Sequence, residues 1–239
     1  MYSALLVALY TSRMLRMIKH MLFKSQNLGL QEKLLLFSKG RRMKKKYRLF
    51  RFPLALCVLL ISGAHSEQVR YVIDSSHTYP SFEADHMGGL SVWRGKINSS
   101  SGYILLDKNA STGAVDVTLD MSTIDFGHEG MNDHVRNEDM LDVEKFPISI
   151  YTGKLARFVA GKPTEVHGEL TLRGITKPLA LEINQFKCMI HPRKKREVCG
   201  ADASAKFMRD DFGVDFAKQY GFKMDINLRI SVEALVEQN

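Results

Sequence analysis

The feature that most constrains this fold is a strict alternation of apolar and polar residues near the end of the chain. Every second residue from Met224 to Ala234 is apolar, and the residues between them are polar. The same pattern runs from Val115 to Met121. Side chains along a β-strand point alternately to its two faces, so each such segment buries one face and exposes the other. The pattern therefore predicts antiparallel strands over an apolar core.

Short turn segments separate the alternating runs, which is typical of a sandwich or a barrel. They lie at residues 100–102, 108–111, 160–163 and 173–178. The last alternating run is long, and its free edge would invite aggregation unless it paired with an early strand. We therefore predict an all-β fold, a closed antiparallel barrel of about eight strands.

One segment interrupts the alternation. Charged residues are dense between Gly130 and Lys145, and the apolar residues Val135, Met140 and Leu141 recur there at irregular helical spacing. A short helical insertion is expected, ending before Phe146-Pro147, because a residue that precedes proline is disfavoured in the helical conformation.

Residues 1–66 differ sharply in charge from the rest of the chain. They hold thirteen of the 34 Lys and Arg residues, but only one, Glu32, of the 26 acidic residues. Subtraction leaves 21 basic and 25 acidic residues in 67–239, a net charge of −4, against +8 for the whole chain. The positive balance belongs to the first segment, so the charge gives no support for a nucleic-acid-binding surface.

Residues 43–66 have the organisation of a secretory signal peptide. A positive stretch, Lys44–Arg51, precedes the apolar run Leu54–Ile61, and the small residues Ala64 and Ser66 follow. The apolar run is far shorter than the ~20 residues that cross a bilayer. We therefore expect cleavage after Ser66, with a retained membrane anchor as the alternative. Residues 1–42 form an N-terminal extension that is absent if translation starts at Met43, and residues 67–239 form the exported domain.

The exported domain has two cysteines, Cys188 and Cys199. An even number in an exported chain indicates one disulfide, with two free thiols and half of a metal site as alternatives. In the chain-entropy description, closing so short a loop contributes ~3 kcal/mol to stability.

Catalytic and metal-binding patterns are weak. A zinc site needs three or four converging ligands. His128 and His134 lie in one helical segment, but the sequence implies no third ligand near them. The chain also has no Gly-x-Ser-x-Gly motif and no glycine-rich phosphate or dinucleotide fingerprint. We therefore predict that the protein is not an enzyme, that it has no catalytic residue, and that it binds no metal and no cofactor. The basic run Arg193–Arg196 either forms a solvated hairpin turn or attracts anionic lipid headgroups.

Three separate motifs in this chain resemble the YceI-like family. They comprise His77-Thr78 with Phe82, His86–Gly89, Ser91 and Gly95; then Leu170–Leu179; then Arg209–Gly213. In addition, Glu197–Ala203 resembles the proteobacterial branch of the family that carries two cysteines. The resemblance extends over most of the span from Val69 to Val236.

The resemblance implies a periplasmic, lipocalin-like antiparallel barrel that holds a long isoprenoid chain. The expected function is that of a binding or carrier protein for a long apolar ligand, namely a polyisoprenoid or an isoprenoid quinone. Two alternatives stay open: an enzyme that acts on a lipid or small amphiphile through His86 or His134, and a filled barrel that serves as a stress-response or interaction module. The expected partner is an apolar, lipid-like ligand, with transient membrane-surface contact as an option. The sequence leaves the oligomeric state open, with a homodimer as one option.

Alternation also predicts which side chains face the barrel interior. The residues expected to line a ligand site are Phe82, His86, Trp93, Val117, Leu119, Ile148, Ile150, Leu170, Leu181, Phe207, Ile226 and Leu228. His86 is either a polar contact for a ligand headgroup or a hydrogen-bonded core histidine. Gly88, Gly168, Ala203 and Ala205 place small residues on faces that otherwise carry large ones. The pattern alone leaves a hollow and a filled interior equally open, and the family resemblance favours the hollow one.

Overall fold

The computed structural model describes residues 68–238, which form eleven strands and one α-helix, α1, at Glu129–Arg136. The signal peptide and N-terminal extension expected before residue 67 lie outside the described residues. In the described part of the chain, no helix has the length and apolar character needed to cross a membrane. The strands are β1 Val69–Ile73, β2 Tyr79–His86, β3 Ser91–Ile97, β4 Ser100–Asp107, β5 Thr112–Asp120, β6 Ile124–Asp125, β7 Ile148–Ala156, β8 Glu165–Leu172, β9 Ile175–Ile190, β10 Glu197–Met208 and β11 Asp225–Val236.

Strand β11 closes the sheet, as its alternation and length predicted. One of its edges pairs with β10 from Asp225 to Leu235. Its other edge pairs with β2 from Ile226 to Ser231 and with β1 from Ala234 to Val236. Because the second edge is covered by these two early strands, β11 has no free edge.

The eleven strands form a closed antiparallel barrel with eight strand positions around its circumference. Three of these positions are each occupied by two short strands in succession: β1 with β2, β4 with β3, and β5 with β6. The sequence of hydrogen-bonded neighbours then runs β5, β7, β8, β9, β10 and β11 before it returns to β1 and β2. The predicted eight-stranded barrel is confirmed.

Helix α1 lies in the predicted helical insertion. It begins after His128, whose Nδ1 accepts a hydrogen bond from the Met131 backbone N–H at 3.2 Å. This bond satisfies one of the N–H groups that a helix leaves unpaired at its start. Asn132 and Val135 are buried on the face that packs against the barrel. The helix ends at Arg136, earlier than the predicted boundary before Phe146.

The predicted orientation of β7 is wrong. Ile148 and Ile150 are 43% and 40% exposed, whereas Ser149 and Tyr151 are buried between them. The register pairs Ser149 with Leu119 and Tyr151 with Val117, both inward-facing residues of β5. Shifting a strand assignment by one residue moves every side chain to the opposite face. Ile148 and Ile150 therefore cannot line the interior.

The prediction that Gly168 marks empty space in the interior is also wrong, because the Tyr151 ring occupies that space. Gly168 and Gly153 pair across β7 and β8, and a Cβ on Gly168 would lie 2.7 Å from the Tyr151 ring. The glycine thus makes room for that ring. The Tyr151 hydroxyl donates to the Leu179 carbonyl oxygen at 3.0 Å, which satisfies it inside the core. This level of the barrel is packed.

The packed part of the interior continues from Tyr151 to the barrel end formed by β1 and the end of β4. Val166, Leu179, Leu181 and Ala203 are buried in one cluster with Tyr151. A second cluster, centred on Tyr71, Ile73, Leu106, Cys199 and Ala234, fills the end beyond it.

The predicted disulfide between Cys188 and Cys199 is present. The two cysteines are directly opposite each other on β9 and β10, with their Cα atoms 4.0 Å apart. The bond joins two strands that already pair, at the packed end of the barrel.

Candidate functional site

The other end of the barrel holds a cavity of about 350 Å³. Strands β2, β3, β5, β6, β7, β8, β10 and β11 supply its walls. Two irregular segments close it, residues 129–141, which include α1, and residues 209–224; together we name them the cap. Phe216 of the cap is the one cavity-lining residue that is exposed, at 39%, so the cavity wall meets the protein surface there.

The cavity wall is overwhelmingly apolar. Of its 26 lining residues, five have ionisable or hydroxyl side chains: Asp85, His86, His134, Ser149 and Arg209. The others are aliphatic, aromatic, methionine, alanine or proline. Such a surface offers a ligand burial of apolar area and very few hydrogen bonds.

Eight of the twelve residues expected at a ligand site line this cavity. They are Phe82, His86, Trp93, Leu119, Leu170, Phe207, Ile226 and Leu228. Val117 and Leu181 face inward but pack in the filled part of the barrel. Ile148 and Ile150 lie on the outer surface, as described above.

Sequence reasoning missed the cap. Met131, Met140, Phe216 and Phe222 line the cavity, but they come from segments without strand periodicity. The available signal was the density of aromatic and methionine residues in otherwise polar loops. Ser149 was missed because the register of β7 was assigned one residue out.

A close approach between β2 and β3 shapes one wall. Phe82 is paired directly with Gly95, and a Cβ on Gly95 would lie 2.5 Å from the Phe82 ring. The ring therefore lies flat across the neighbouring strand. Phe82 also contacts Phe126 edge to face, with 5.3 Å between ring centroids. Any larger residue at position 95 would push the Phe82 ring into the cavity.

Arg209 organises the cap from inside. Its buried guanidinium donates to the carbonyl oxygens of Val214 and Phe216, at 2.7 and 2.8 Å. Burial lowers the pKa of Arg209, while the negative charges of Asp210, Asp215 and Asp85 oppose that shift. The side chain thus holds the segment that carries two of the lining residues.

Asp85 ties the β2–β3 turn to the end of the cap. Its Oδ2 accepts hydrogen bonds from the backbone N–H groups of Gly88 and Lys223, at 2.9 and 3.0 Å. Burial raises the pKa of Asp85, but the hydrogen bonds from Lys223, Gly88 and Gly89 outweigh it and the net shift is downward. The carboxylate is therefore ionised at neutral pH and occupied by backbone donors.

Arg173 connects the two halves of the cap to the β8–β9 turn. Its guanidinium donates to the Gly213 carbonyl oxygen and, at 2.8 Å, to that of Glu138. Arg173 and Arg209 belong to the second and third family-like motifs, and Asp85 directly precedes His86 of the first. All three side chains bond backbone groups of the cap or the turn beside it, so these motifs position the closure of the cavity.

The histidines of the site contact aromatic rings. His86 lies between Trp93 and Phe222, at centroid distances of 5.4 and 5.7 Å. His134 contacts Phe216 edge to face at 4.8 Å. His86 Nδ1 also lies 3.5 Å from Ser91 Oγ, at the limit of a hydrogen bond. This arrangement suits a polar contact at one end of an apolar ligand.

Among the described residues, one group of three potential metal ligands lies close together: Cys188, Glu197 and Cys199. Both sulfur atoms belong to the disulfide, so they are not available as thiolates. Glu197 accepts hydrogen bonds from Tyr71 and Lys108, each at 2.6 Å. The alternative that the two cysteines form half of a metal site is therefore wrong for the disulfide-bonded protein.

Known structures share this architecture. A crystal structure of the YCEI protein of Campylobacter jejuni superposes with a TM-score of 0.54 at 23% identity, covering 62% of this chain and 88% of that one. A polyisoprenoid-binding domain from Saccharophagus degradans superposes with a TM-score of 0.51 at 10% identity, covering 72% of this chain and 100% of the other. At these identities the likeness shows the fold.

Sequence comparison shows the relationship itself. A protein of Vibrio campbellii named UPF0312 is 32% identical over 143 residues, which cover 59% of this chain and 73% of that protein. The family described as the YceI-like domain matches residues 71–234, from within β1 to within β11. This match includes part or all of every strand of the barrel and all three motifs. The chain therefore belongs to the YceI-like domain family.

Proposed function

We propose that this protein binds a long apolar ligand of the polyisoprenoid class in the cavity and carries or sequesters it in the periplasm. The observation that supports the proposal most strongly is the apolar cavity at one end of an otherwise packed barrel. In a filled barrel, side chains would pack at the cavity end as they do around Tyr151 and Leu181.

The energetic reason is the cost of apolar surface in water. Each methylene moved from water into an apolar site contributes ~0.8 kcal/mol. The wall supplies this environment through Phe82, Leu119 and Leu170 on the strands and Phe216 and Phe222 in the cap. An isoprenoid chain, which has branched methyl groups and no hydrogen-bonding groups, matches such a wall.

The size of the cavity suits part of a long chain. Small-molecule sites generally measure ~300–1,000 Å³, and 350 Å³ is near the lower limit. The structurally similar domain from Saccharophagus degradans is named for polyisoprenoid binding, which supports the same ligand class here. A longer ligand would extend past Phe216, where the cavity wall meets the surface.

The periplasmic location belongs to the proposal as well. It is supported by the signal-peptide pattern in residues 43–66 and by the disulfide, since disulfides persist in oxidising compartments. N-terminal sequencing of protein from the periplasmic fraction is expected to begin near Glu67. A chain that retains Leu54–Ile61 would contradict cleavage.

The direct test of binding is chemical. Protein purified from the periplasm is extracted with organic solvent, and the extract is analysed by mass spectrometry. We expect prenyl chains in stoichiometric amount. Trp93 is the one tryptophan of the chain and lines the cavity, so its fluorescence should change when farnesol is added to lipid-free protein. No extracted lipid together with no response to farnesol would refute the proposal.

One observation favours the alternative that the protein is an enzyme: His86 and His134 both line the cavity. General base catalysis also needs a reacting group within hydrogen-bond reach of the imidazole. A carrier is expected to retain farnesol binding after His86→Ala or His134→Ala and to return the bound lipid unchanged. Time-dependent conversion of the lipid, abolished by either substitution, would favour the enzyme.

A further inference from the structure

The cavity end of the barrel presents apolar side chains to solvent. Leu90 in the β2–β3 turn is 74% exposed, and Tyr220 in the cap is 76% exposed. Met87 and Phe216 are exposed beside them on the same two segments. We call Met87, Leu90, Phe216 and Tyr220 the tip surface.

The two segments of the tip surface are held together. Asp85 accepts from the backbone N–H groups of both Gly88 and Lys223. The His86 and Phe222 rings are in contact at 5.7 Å, and a Cβ on Gly88 would lie 3.0 Å from the Gly221 carbonyl oxygen. The exposed apolar side chains therefore belong to one surface and not to two separate loops.

This surface is continuous with the cavity. Asp85, His86 and Phe222 line the cavity and lie next to the exposed residues in sequence, and Phe216 belongs to both. A ligand that enters or leaves beside Phe216 passes directly across the tip surface. Since such a ligand is nearly insoluble in water, its source or destination must meet the protein at this point.

The charge of the tip surface also indicates its partner. Neither Met87–Leu90 nor Gln219–Lys223 contains an acidic residue, and the ammonium of Lys223 lies over Gly89. An aromatic residue and a lysine at the edge of an apolar patch suit the interface of a bilayer. The exposed carboxylate of Asp215, which precedes Phe216, and those of Asp139 and Asp211 on the cap give no attraction for anionic lipid.

We propose that the tip surface docks on a lipid bilayer, inserting Leu90 and Tyr220 and thereby placing the cavity opening against the membrane. This inference rests on the proposed function, because the cavity must take up an apolar ligand for the docking to serve transfer. The basic residues 193–196 lie at the opposite, packed end of the barrel, in the β9–β10 turn beyond the disulfide.

The test uses flotation of the mature, disulfide-bonded protein with phosphatidylcholine vesicles. We expect wild-type protein to bind these neutral vesicles and the binding to persist at high salt. The double variant Leu90→Asp/Tyr220→Asp should bind about a hundredfold more weakly, since burial of each of the two large apolar side chains accounts for about tenfold. The matched control is Val159→Asp, which adds one of these two negative charges at a 64% exposed site in the β7–β8 turn of the packed end.

Three results would overturn the proposal: equal vesicle binding by the double variant and wild type, loss of binding in Val159→Asp, or binding only to phosphatidylglycerol vesicles with loss at high salt. The last result would assign docking to the basic turn. If the Asp substitutions lower the melting temperature, Leu90→Ser/Tyr220→Ser provides the same comparison.

Farnesol added from ethanol separates this proposal from the proposed function. We expect the double variant to give the wild-type Trp93 response to farnesol while failing to bind vesicles. A wild-type protein that binds farnesol but not vesicles keeps the function and loses the docking surface. A wild-type protein that binds vesicles but not farnesol shows that the docking surface exists without the proposed ligand.

Discussion

Substitution of Leu119 by Trp tests whether the interior at the cavity end is empty. Leu119 lies on β5 and faces the cavity. An apolar cavity of ~150 Å³ is large enough to hold benzene, so 350 Å³ has room for the indole ring. We expect Leu119→Trp to change the free energy of unfolding of lipid-free protein by less than ~1 kcal/mol, because no neighbouring side chain must move. The same ring should exclude the ligand.

The matched change in the packed part is Leu181→Trp. Leu181 pairs with Val166, and both are buried in the core cluster of Tyr151. Extra volume in a filled core costs ~1–3 kcal/mol. For a domain of this size, each kcal/mol lowers the melting temperature by roughly 2–4 °C. Leu181→Trp should therefore melt several degrees below Leu119→Trp.

The assay compares the three proteins after unfolding and refolding without lipid. Chemical denaturation gives the free energy of unfolding, and mass spectrometry of periplasmic protein gives the bound lipid. The expected result is a stable Leu119→Trp protein without lipid and a destabilised Leu181→Trp protein. Equal destabilisation of both variants would show that the cavity end is as full as the rest, and the binding proposal would fail with it.

Three further predictions concern the disulfide, acid stability and the cap. Cys188→Ser/Cys199→Ser should lower the free energy of unfolding by ~3 kcal/mol in a denaturant titration; an unchanged midpoint would contradict this. The hydrogen bond from Lys194 holds the pKa of Asp74 well below its usual range, so its stabilisation is complete above pH ~3.9 and is lost as the pH falls from there through the lower folded pKa. Asp74→Asn should therefore reduce stability at pH 7 and flatten the acid side of the profile, whereas a parallel profile would argue against it. Arg209→Met leaves two cap carbonyl groups without their hydrogen-bond donor, at a cost of ~1–3 kcal/mol for each if they stay buried. Limited proteolysis of this variant should therefore cut within residues 209–224. Resistance to proteolysis equal to that of wild type would contradict the role of Arg209 in holding the cap.

The sequence alone determined the barrel and eight of the 26 residues that line the cavity. Alternation in β11 could be satisfied only by a strand with one buried face, and its length required a partner on each edge. The strand residues Phe82, Leu119, Leu170, Ile226 and Leu228 all line the cavity as predicted, because each lies in a run whose other face is polar.

Tertiary structure decided the orientation of β7 and the position of the cavity. Around Ile148–Tyr151 both faces carry large apolar residues, so periodicity does not indicate which face is buried. Tyr151 is the residue that faces the interior. Its ring fills the space above Gly168, and its hydroxyl donates a hydrogen bond to the Leu179 carbonyl oxygen. That contact joins residues far apart in the chain, and no local pattern contains it.

The cap was likewise a product of the tertiary structure. Its lining residues come from irregular segments, whose conformation is set by single hydrogen bonds from Asp85, Arg173 and Arg209 to distant backbone groups. The sequence marks Arg173 and Arg209 as members of motifs, and Asp85 as the neighbour of one, without showing what they bond. Which end of the barrel stays empty follows from where the Tyr151 ring packs and where these bonds close the chain over the remaining space.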